Sequence, residues 1–196
     1  MITQREFFNS MAEKWDTVCR HDTGKIGYIL SLLDIRNGDK ILDVGTGTGI
    51  LIPFLRERTG EQGEITAVDV SEKMLEVAKR KYSYSNIAFI CDDVLNGNLP
   101  REYFDFVVCY SVFPHFDDKQ SAAAVMSKYL KKGGKFIICH SESRETINNM
   151  HKNASEAVAE DNLPGADILA GLMEAAGMTV LRKIDDEEMF VVIAQK

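Results

Sequence analysis

The stretch ILDVGTGTGILIPFL, residues 41–55, places three glycines within five positions between two apolar runs. Gly45, Gly47 and Gly49 allow the backbone to turn tightly and to approach a ligand without an intervening Cβ. A dinucleotide-binding loop of the G-x-G-x-x-G type would require a glycine where the chain has Ile50. The spacing here is G-x-G-x-G, which departs from that fingerprint.

Strand-like runs and helix-periodic stretches alternate on both sides of this loop. The runs rich in β-branched and aromatic residues are nearly continuous in apolar residues, which is typical of strands buried on both faces. They are KILDV (40–44), EITAVDV (64–70), NIAFIC (86–91), FDFVVCY (104–110) and GKFIICH (134–140). The helix-periodic stretches between them are GILIPFLRERTG (49–60), SEKMLEVAKRKYS (71–83) and DDKQSAAAVMSKYLKKGG (117–134). This alternation predicts an open parallel sheet.

The C-terminal part has a different pattern. A helix-like ADILAGLMEAAG (166–177) precedes the strand runs MTVLRKI (178–184) and EEMFVVIAQ (187–195), joined by a short acidic turn. These runs predict an antiparallel hairpin at the edge of the sheet. The predicted fold is therefore α/β, a Rossmann-like open and mostly parallel seven-stranded sheet with helices on both faces and a C-terminal antiparallel hairpin.

We predict one domain over residues 1–196. It comprises an N-terminal helical cover (1–36), a core that binds a ligand (37–140), and an insertion with the C-terminal hairpin (141–196). Residues 5–33 are expected to form two helices. An apolar stripe on the first of them is expected either to dock the helix onto the domain or to cover a pocket; it consists of Phe7, Phe8, Met11, Trp15 and Val18.

Composition excludes several classes of partner. The chain has 23 basic and 30 acidic residues, a net charge of −7, with no basic block, so nucleic acid is not an expected partner. No apolar segment has the length of a membrane span, and the N-terminus does not resemble a signal peptide. The four cysteines lack CxxC spacing and are expected to be reduced core residues. These features indicate a cytoplasmic location; they do not predict the oligomeric state.

Acidic residues stand at the ends of the first three predicted strands. Asp43 lies two residues before the first glycine, where it would repel a pyrophosphate and favour a cationic ligand. Asp69 ends the second strand and is suited to accept hydrogen bonds from ribose hydroxyls. Either Asp92 or Asp93, at the end of the third strand, would suit the exocyclic amine of adenine, and the other would cap the following turn.

Taken in order, these motifs resemble the class I S-adenosylmethionine-dependent methyltransferases. The resemblance runs from about residue 41 to residue 140 through ILDVGTGTG, AVDVS, CDDV, FDFVVCYSVFPHF and LKKGGKFII. It is closest to the ubiquinone and menaquinone biosynthesis type of small-molecule methyltransferase. The resemblance implies S-adenosylmethionine as cofactor, S-adenosylhomocysteine as product and a small-molecule methyl acceptor.

The resemblance also implies which residues hold the cofactor. The glycine loop would lie against its methionine part, Asp43 would reach the ammonium group, and Asp69 would bind the ribose. The implied cofactor-binding set is Asp43, Gly45, Thr46, Gly47, Thr48, Gly49, Asp69, Val70, Met74, Asp92, Asp93, Val94 and Tyr110.

The four histidines are the candidates for chemistry on the acceptor. His115 follows the fourth strand and His140 ends the fifth, so either is a candidate general base. The alternative for each is a capping or surface role, and for His115 it is favoured by the histidine that related methyltransferases often carry near the end of this motif without using it as a base. A third interpretation is a metal site formed by His115, His140 and either His21 or His151, because neutral imidazoles on separate loops are common metal ligands.

The insertion after His140 occupies the position where such enzymes build acceptor specificity. In it, Arg144 would either neutralise an anionic acceptor or form a solvated salt bridge with a neighbouring glutamate. If residues 143–160 form a helix, Glu145 and His151 do not share a face.

Two other functions remain open from the sequence. A non-catalytic module that binds S-adenosylmethionine would keep the glycine loop. A nicotinamide-dependent oxidoreductase would share the fold and Asp69, but it would need a glycine in place of Ile50.

Overall fold

The computed structural model describes residues 2–196. Its centre is a seven-stranded sheet of order β3-β2-β1-β4-β5-β7-β6. The strands are β1 (Lys40–Val44), β2 (Glu64–Asp69), β3 (Ile87–Cys91), β4 (Phe104–Tyr110), β5 (Leu130–His140), β6 (Thr179–Asp185) and β7 (Phe190–Gln195). The first five strands are parallel, and β7 is antiparallel to both β5 and β6. The predicted fold class is confirmed.

Alternate residues of the central strands face two hydrophobic cores. In β1, Leu42 and Val44 belong to the core on one face of the sheet, and Ile41 belongs to the core on the other. Helices cover both faces, so the central strands carry apolar residues at nearly every position. The edge strands β3 and β6 are less buried because each has one neighbouring strand.

Eight α-helices surround the sheet in residues 2–196: α1 (Gln4–Met11), α2 (Trp15–Val18), α3 (Thr23–Ser31), α4 (Ile52–Thr59), α5 (Glu72–Lys81), α6 (Lys119–Tyr129), α7 (Arg144–Ala154) and α8 (Ala166–Ala175). Side chains cap several of them as the sequence indicates. Ser71 accepts a hydrogen bond from the Met74 N–H at the start of α5, and Asp118 accepts from Ser121 at the start of α6. Within residues 2–196, no helix has both the length and the apolar content for crossing a membrane.

The boundaries differ from the predictions in three places. The helix predicted to reach the glycines at 133–134 ends at Tyr129, because the buried Leu130 already pairs with Phe104 and begins β5. The first predicted N-terminal helix is divided into α1 and α2 by the 3₁₀ turn Ala12–Lys14. The helix proposed for residues 143–160 stops at Ala154, where the backbone of Ser155 becomes extended.

The C-terminal hairpin lies at the edge of the sheet, as predicted. Strand β7 lies between β5 and β6, and each residue of Phe190–Ala194 is buried, so only β6 forms the edge. This placement fixes the end of β5, because His140 pairs with Phe190.

Candidate functional site

A cavity of about 1000 Å³ lies beyond the carboxyl ends of the central strands. The glycine loop after β1 and the ends of β2 and β4 form one side of it, and the N-terminal helices cover it. In open α/β sheets ligands bind at this position, where the order of the strands reverses beside β1. The cavity has two halves, a cofactor half beside β1 to β3 and an acceptor half beside β4, β5 and α7.

The glycine loop is held in position by backbone hydrogen bonds. The N–H groups of Gly45 and Thr46 donate to the Val68 carbonyl at 2.8 and 3.1 Å. Gly45 and Gly47 have φ values of +65° and +55°, which disfavour other residues. A Cβ on Gly45 would lie 2.2 Å from Val112 Cγ2, whereas a Cβ on Gly47 would meet no atom within 4 Å. Gly47 therefore leaves open space on the cavity side.

Gly49 has a packing role beneath the loop. It does not line the cavity, and a Cβ there would lie 2.8 Å from Ile52 Cδ1 and 2.9 Å from Tyr82 Cε2. The residue that follows, Ile50, does line the cavity, at the position where a dinucleotide loop would carry its third glycine.

Asp43 is also placed beneath the loop rather than in the cavity wall. It is 2% exposed, and its carboxylate accepts a hydrogen bond of 2.6 Å from the Thr46 hydroxyl. Burial raises the pKa of Asp43 to about 7, and the nearby Asp69 raises it further in the same direction. Asp43 supports the loop through this bond, and its contact with the cofactor stays a prediction.

Asp69 reaches the cavity wall from the end of β2. Its two carboxylate oxygens accept hydrogen bonds of 2.8 Å from the N–H groups of Gly47 and Ser71. Burial raises the pKa of Asp69, and these two backbone donors oppose that shift. The side chain is thus fixed against the glycine loop with oxygen lone pairs left for a ligand.

Asp92 and Asp93 have different hydrogen-bond partners. Asp93 caps the 3₁₀ turn Val94–Asn96 by accepting a hydrogen bond from the Leu95 N–H at 2.9 Å. Asp92 accepts from Asn96 and Asn98, which lower its pKa. Both line the cavity, and the Asp92 carboxylate also accepts a hydrogen bond of 2.8 Å from the Asp93 N–H. Which of the two carboxylates binds an amine stays a prediction.

The N-terminal apolar stripe covers the cavity, one of the two roles the sequence left open. All five stripe residues line it, and Phe8 and Trp15 pack with Met74 of α5. Polar contacts tie the cover down: Asp16 accepts hydrogen bonds from Thr48 and from Lys81, the latter at 2.7 Å. Residue Val70 also lines the cavity and is 38% exposed.

These features fit the cofactor that the sequence predicts. A Cβ on Gly47 would fill space that a ligand can occupy, and Asp69 and Asp92 present carboxylates at two adjacent strand ends. Arg20 is the one lysine or arginine that lines the cavity in the described chain. The wall thus suits a nucleoside carrying a positive charge better than a pyrophosphate.

In the acceptor half, Tyr110, His21 and Ser141 form one network. The buried Tyr110 hydroxyl is 2.8 Å from His21 Nδ1 and 2.7 Å from Ser141 Oγ. The second His21 ring nitrogen, Nε2, lies 3.5 Å from Cys19 Sγ. Burial lowers the pKa of His21 and raises that of Tyr110, which favours the uncharged form of each.

His140 lies at the inner end of this half. Its side chain is 1% exposed, and neither ring nitrogen has a hydrogen-bond partner within residues 2–196. Burial lowers the pKa of His140 to about 3, and the surrounding histidines contribute to the same shift. His140 is therefore a neutral imidazole with unused hydrogen-bonding capacity at the cavity wall.

His115 and His151 stand side by side, with ring centroids 4.9 Å apart. Asp161, in the segment between α7 and α8, contacts both. Burial lowers the pKa of His151, and the neighbouring His115 adds to that shift.

All four histidines line the one cavity, as the metal hypothesis required. However, no three His, Cys, Asp or Glu side chains of residues 2–196 are arranged to hold a metal ion. The ring nitrogens of His21 face Tyr110 and Cys19, whereas His115 and His151 each direct Nδ1 to Asp161.

The interpretation of Arg144 as a receptor for an anionic acceptor is not supported. Its Nε atom pairs with Asp185 of β6 at 3.0 Å, outside the cavity.

Asp161 and Ser141 are two residues of the site that the sequence did not indicate. The sequence order places Ser141 directly after the fifth strand, which could have indicated it; nothing local distinguishes Asp161 from the neighbouring acids.

The fold and the cavity define a Rossmann-like protein that holds a nucleoside cofactor at the carboxyl ends of its strands. Residues 35–185 match the methyltransferase domain family, and the chain belongs to that family. This membership supports a class I S-adenosylmethionine-dependent methyltransferase with S-adenosylmethionine as cofactor, and it disfavours the nicotinamide alternative.

The relatives include quinone-biosynthesis methyltransferases. The chain is 31% identical over 146 residues to the demethylmenaquinone methyltransferase of Staphylococcus epidermidis, covering 71% of this chain and 60% of that protein. It is 29% identical over 168 residues to a ubiquinone/menaquinone biosynthesis C-methyltransferase of Stutzerimonas stutzeri, covering 81% and 65% respectively. The chain thus spans about three-fifths of the length of these relatives.

Among solved structures, an S-adenosylmethionine-dependent methyltransferase from Aquifex aeolicus has a similar fold. The TM-score is 0.73 at 22% identity, with 95% of this chain and 97% of that chain covered. At this level of identity the likeness shows the fold alone.

Proposed function

We propose that this protein transfers a methyl group from S-adenosylmethionine to a small, uncharged and mostly apolar acceptor. The observation that carries the proposal is that a single cavity joins the cofactor half to a second half lined by histidines and apolar side chains. S-adenosylmethionine supplies an electrophilic methyl group on a sulfonium, so the protein has to align the acceptor and exclude water.

The cofactor half would hold the nucleoside by its strand-end carboxylates. We propose that Asp69 accepts hydrogen bonds from the ribose, that Asp92 accepts from the adenine amine, and that Val70, Met74 and Val94 contact the adenine. Gly45 to Thr48 would lie along the methionine part. Asp43 would act from beneath the loop, through its charge and through its bond to Thr46.

The character of the acceptor follows from the wall of the acceptor half. Its apolar members are Phe7, Phe8, Met11, Phe116, Ile147 and Met150. Because Arg144 is paired outside the cavity, the exposed Arg20 of the N-terminal cover is the one lysine or arginine at the cavity wall in the described chain, and no buried cation faces a carboxylate or phosphate acceptor. Quinone-biosynthesis enzymes among the relatives are consistent with an apolar acceptor.

His140 would hydrogen-bond a polar group of this acceptor. A buried imidazole without partners leaves donor and acceptor capacity unused, which costs stability unless a ligand satisfies it. With its pKa lowered to about 3, His140 is a poor general base near neutral pH. We therefore assign it to binding rather than to proton removal.

Calorimetry with S-adenosylhomocysteine tests the cofactor site. Gly47→Ala should raise Kd at least about tenfold, because the added Cβ occupies cavity space. Gly38→Ala is the matched control, since Gly38 also has positive φ and open surroundings but precedes β1, at the opposite end of that strand. Equal Kd values for the two variants, or no binding by the native protein, would refute the cofactor site.

Transfer of a labelled methyl group from S-adenosylmethionine to reduced 1,4-naphthoquinone tests catalysis. We expect a methylated product that depends on the protein. Nucleotide binding without transfer to this or other apolar hydroxylated acceptors would favour the non-catalytic module.

The four cysteines are all free, which agrees with a cytoplasmic site of action for the whole protein.

A further inference from the structure

Asp161 connects three segments that are far apart in sequence. Its carboxylate accepts hydrogen bonds from Gln4 Nε2 at 3.1 Å and from His115 Nδ1 at 2.6 Å. Its backbone carbonyl accepts from His151 Nδ1 at 2.9 Å. One residue of the segment between α7 and α8 therefore orients two imidazole rings that line the acceptor half of the cavity.

The chemistry of these contacts determines which ring nitrogen carries the proton. A carboxylate and a carbonyl oxygen only accept hydrogen bonds, so Nδ1 of His115 and Nδ1 of His151 must both donate. In the neutral rings, each Nε2 atom then carries a lone pair. Neither Nε2 atom has a hydrogen-bond partner among residues 2–196.

The position of Asp161 is fixed by its own segment. Val158 and Leu163, on either side of it, are 3% and 0% exposed. Asn148 of α7 holds the segment by two hydrogen bonds. Its side chain accepts one from the Leu163 N–H at 2.8 Å and donates one to the Leu163 carbonyl at 3.1 Å. The carboxylate is thus held before a ligand binds, as an orienting residue requires.

We propose that Asp161 is a positioning residue that holds His115 with Nε2 as the proton acceptor, and that His115 removes a proton from the methyl acceptor. This proposal rests on the methyl-transfer function above and deepens it. It restricts the acceptor to a group that must lose a proton, such as a hydroxyl, a thiol or an activated carbon acid. Tertiary amines and thioethers, which carry no such proton, are excluded.

The atoms and charges of the step balance. An electron pair of the acceptor atom, or of the acceptor's conjugated system, forms the bond to the methyl carbon, and the electrons of the broken carbon–sulfur bond stay on sulfur. The acceptor proton passes to Nε2 of His115, and the imidazolium is stabilised by the Asp161 carboxylate 2.6 Å from Nδ1. The proton then leaves to water, which restores the neutral ring.

The other three histidines are less suited to this role. Both ring nitrogens of His21 already face protein atoms. His140 has no hydrogen-bond partner that would fix which of its ring nitrogens carries the proton. His151 is oriented only by a carbonyl, which carries no full charge to stabilise an imidazolium.

Nitrogen NMR of protein labelled with ¹⁵N in its histidines tests the orientation, with S-adenosylhomocysteine added. We expect both His115 and His151 to be protonated on Nδ1 in the native protein. In Asp161→Asn, the asparagine replaces one acceptor oxygen by a donor, so His115 should acquire an Nε2–H population. His151 should keep its Nδ1–H form, because the substitution leaves the backbone carbonyl in place.

Methyl transfer to reduced 1,4-naphthoquinone tests the proton acceptor. Asp161→Asn and His115→Gln should each lower kcat by about 10²- to 10⁴-fold, with Kd for S-adenosylhomocysteine unchanged within about twofold. Gln4→Leu is the matched control: it removes the other partner of Asp161 and should change kcat by less than about threefold.

Two results would overturn the proposal. One is an Nε2–H form of His115 in the native protein. The other is an equal loss of kcat in Gln4→Leu and Asp161→Asn, which would show that Asp161 serves to hold the N-terminal cover in place. Failure of the methyl-transfer function itself is distinguishable, because it would appear as absent nucleotide binding in calorimetry, whereas NMR reads the histidine tautomers independently of turnover.

Discussion

The two halves of the cavity are built in different ways. The cofactor half is formed by short stretches at the ends of adjacent parallel strands, and backbone N–H groups hold much of it in place. The acceptor half collects side chains from the N-terminal cover, the segment after β4, the end of β5, and the α7–α8 region. A site made by adjacent strand ends can be found from local sequence, whereas a site assembled from distant segments depends on the complete fold.

The halves also differ in the buried groups that they carry. The cofactor half buries an acid, Asp43, whose pKa is raised, and the acceptor half buries a histidine, His140, whose pKa is lowered. In both residues desolvation disfavours the charged form. Their charged forms are of opposite sign. The acceptor half is therefore expected to lose stability as the pH falls, and the cofactor half as the pH rises.

The largest expected effect is the sensitivity of the acceptor half to acid. Unfolded His140 binds a proton near its ordinary pKa of 6.5, but the folded protein binds it only near pH 3. Stability is therefore lost as the pH falls from 6.5 towards 3, on the order of 4 kcal/mol. His140→Phe should remove this loss, as measured by denaturant unfolding of both proteins at pH 7 and pH 4. A parallel decline in both proteins would contradict the assignment.

The cofactor half should show the opposite dependence. Asp43 ionises near pH 3.8 in the unfolded chain and near pH 7 in the folded protein. The contribution of this group to stability is therefore greatest below pH 3.8, and on the order of 4 kcal/mol is lost as the pH rises to 7. Asp43→Asn keeps an oxygen for Thr46 and should flatten this part of the stability curve. An unchanged slope between pH 4 and pH 8 would show that Asp43 is ionised in the folded protein.

A smaller effect is expected for Asp69, on binding rather than on stability. Asp69→Ala removes charge-assisted hydrogen bonds to the ribose, worth about 1.5 to 3 kcal/mol, so Kd for S-adenosylhomocysteine should rise about 10- to 150-fold. Calorimetry measures this, with Asp69→Asn as the conservative comparison that retains one oxygen. Thermal unfolding controls for loosening of the glycine loop, since Asp69 also accepts from Gly47. An unchanged Kd would remove Asp69 from the ribose site.

Much of the cofactor half could be predicted from sequence. The apolar runs, the caps Ser71 and Asp118 and the glycine spacing are local signals, and in a parallel sheet the strand ends converge at one edge. Burial could not be predicted in the same way. Asp43 and Asp69 have the same residue type and similar positions, yet only Asp69 reaches the cavity wall.

Less of the acceptor half could be predicted. The sequence identified the four histidines as candidates, and the structure places all of them at one cavity. Their separate roles depend on partners that are distant in sequence: His115 is 46 residues from Asp161, and His21 is 89 residues from Tyr110. The assignments of His115 and His140 remain predictions that the experiments above address.

By itself, the sequence determined the mostly parallel sheet, the glycine loop and the acids at the strand ends, because strand periodicity, positive-φ turns and helix caps are encoded by neighbouring residues. Only the tertiary structure decided which acid caps a turn, which histidine has no hydrogen-bond partner and which carboxylate orients a histidine ring. Those properties are set by desolvation and by contacts between segments that chain order does not bring together.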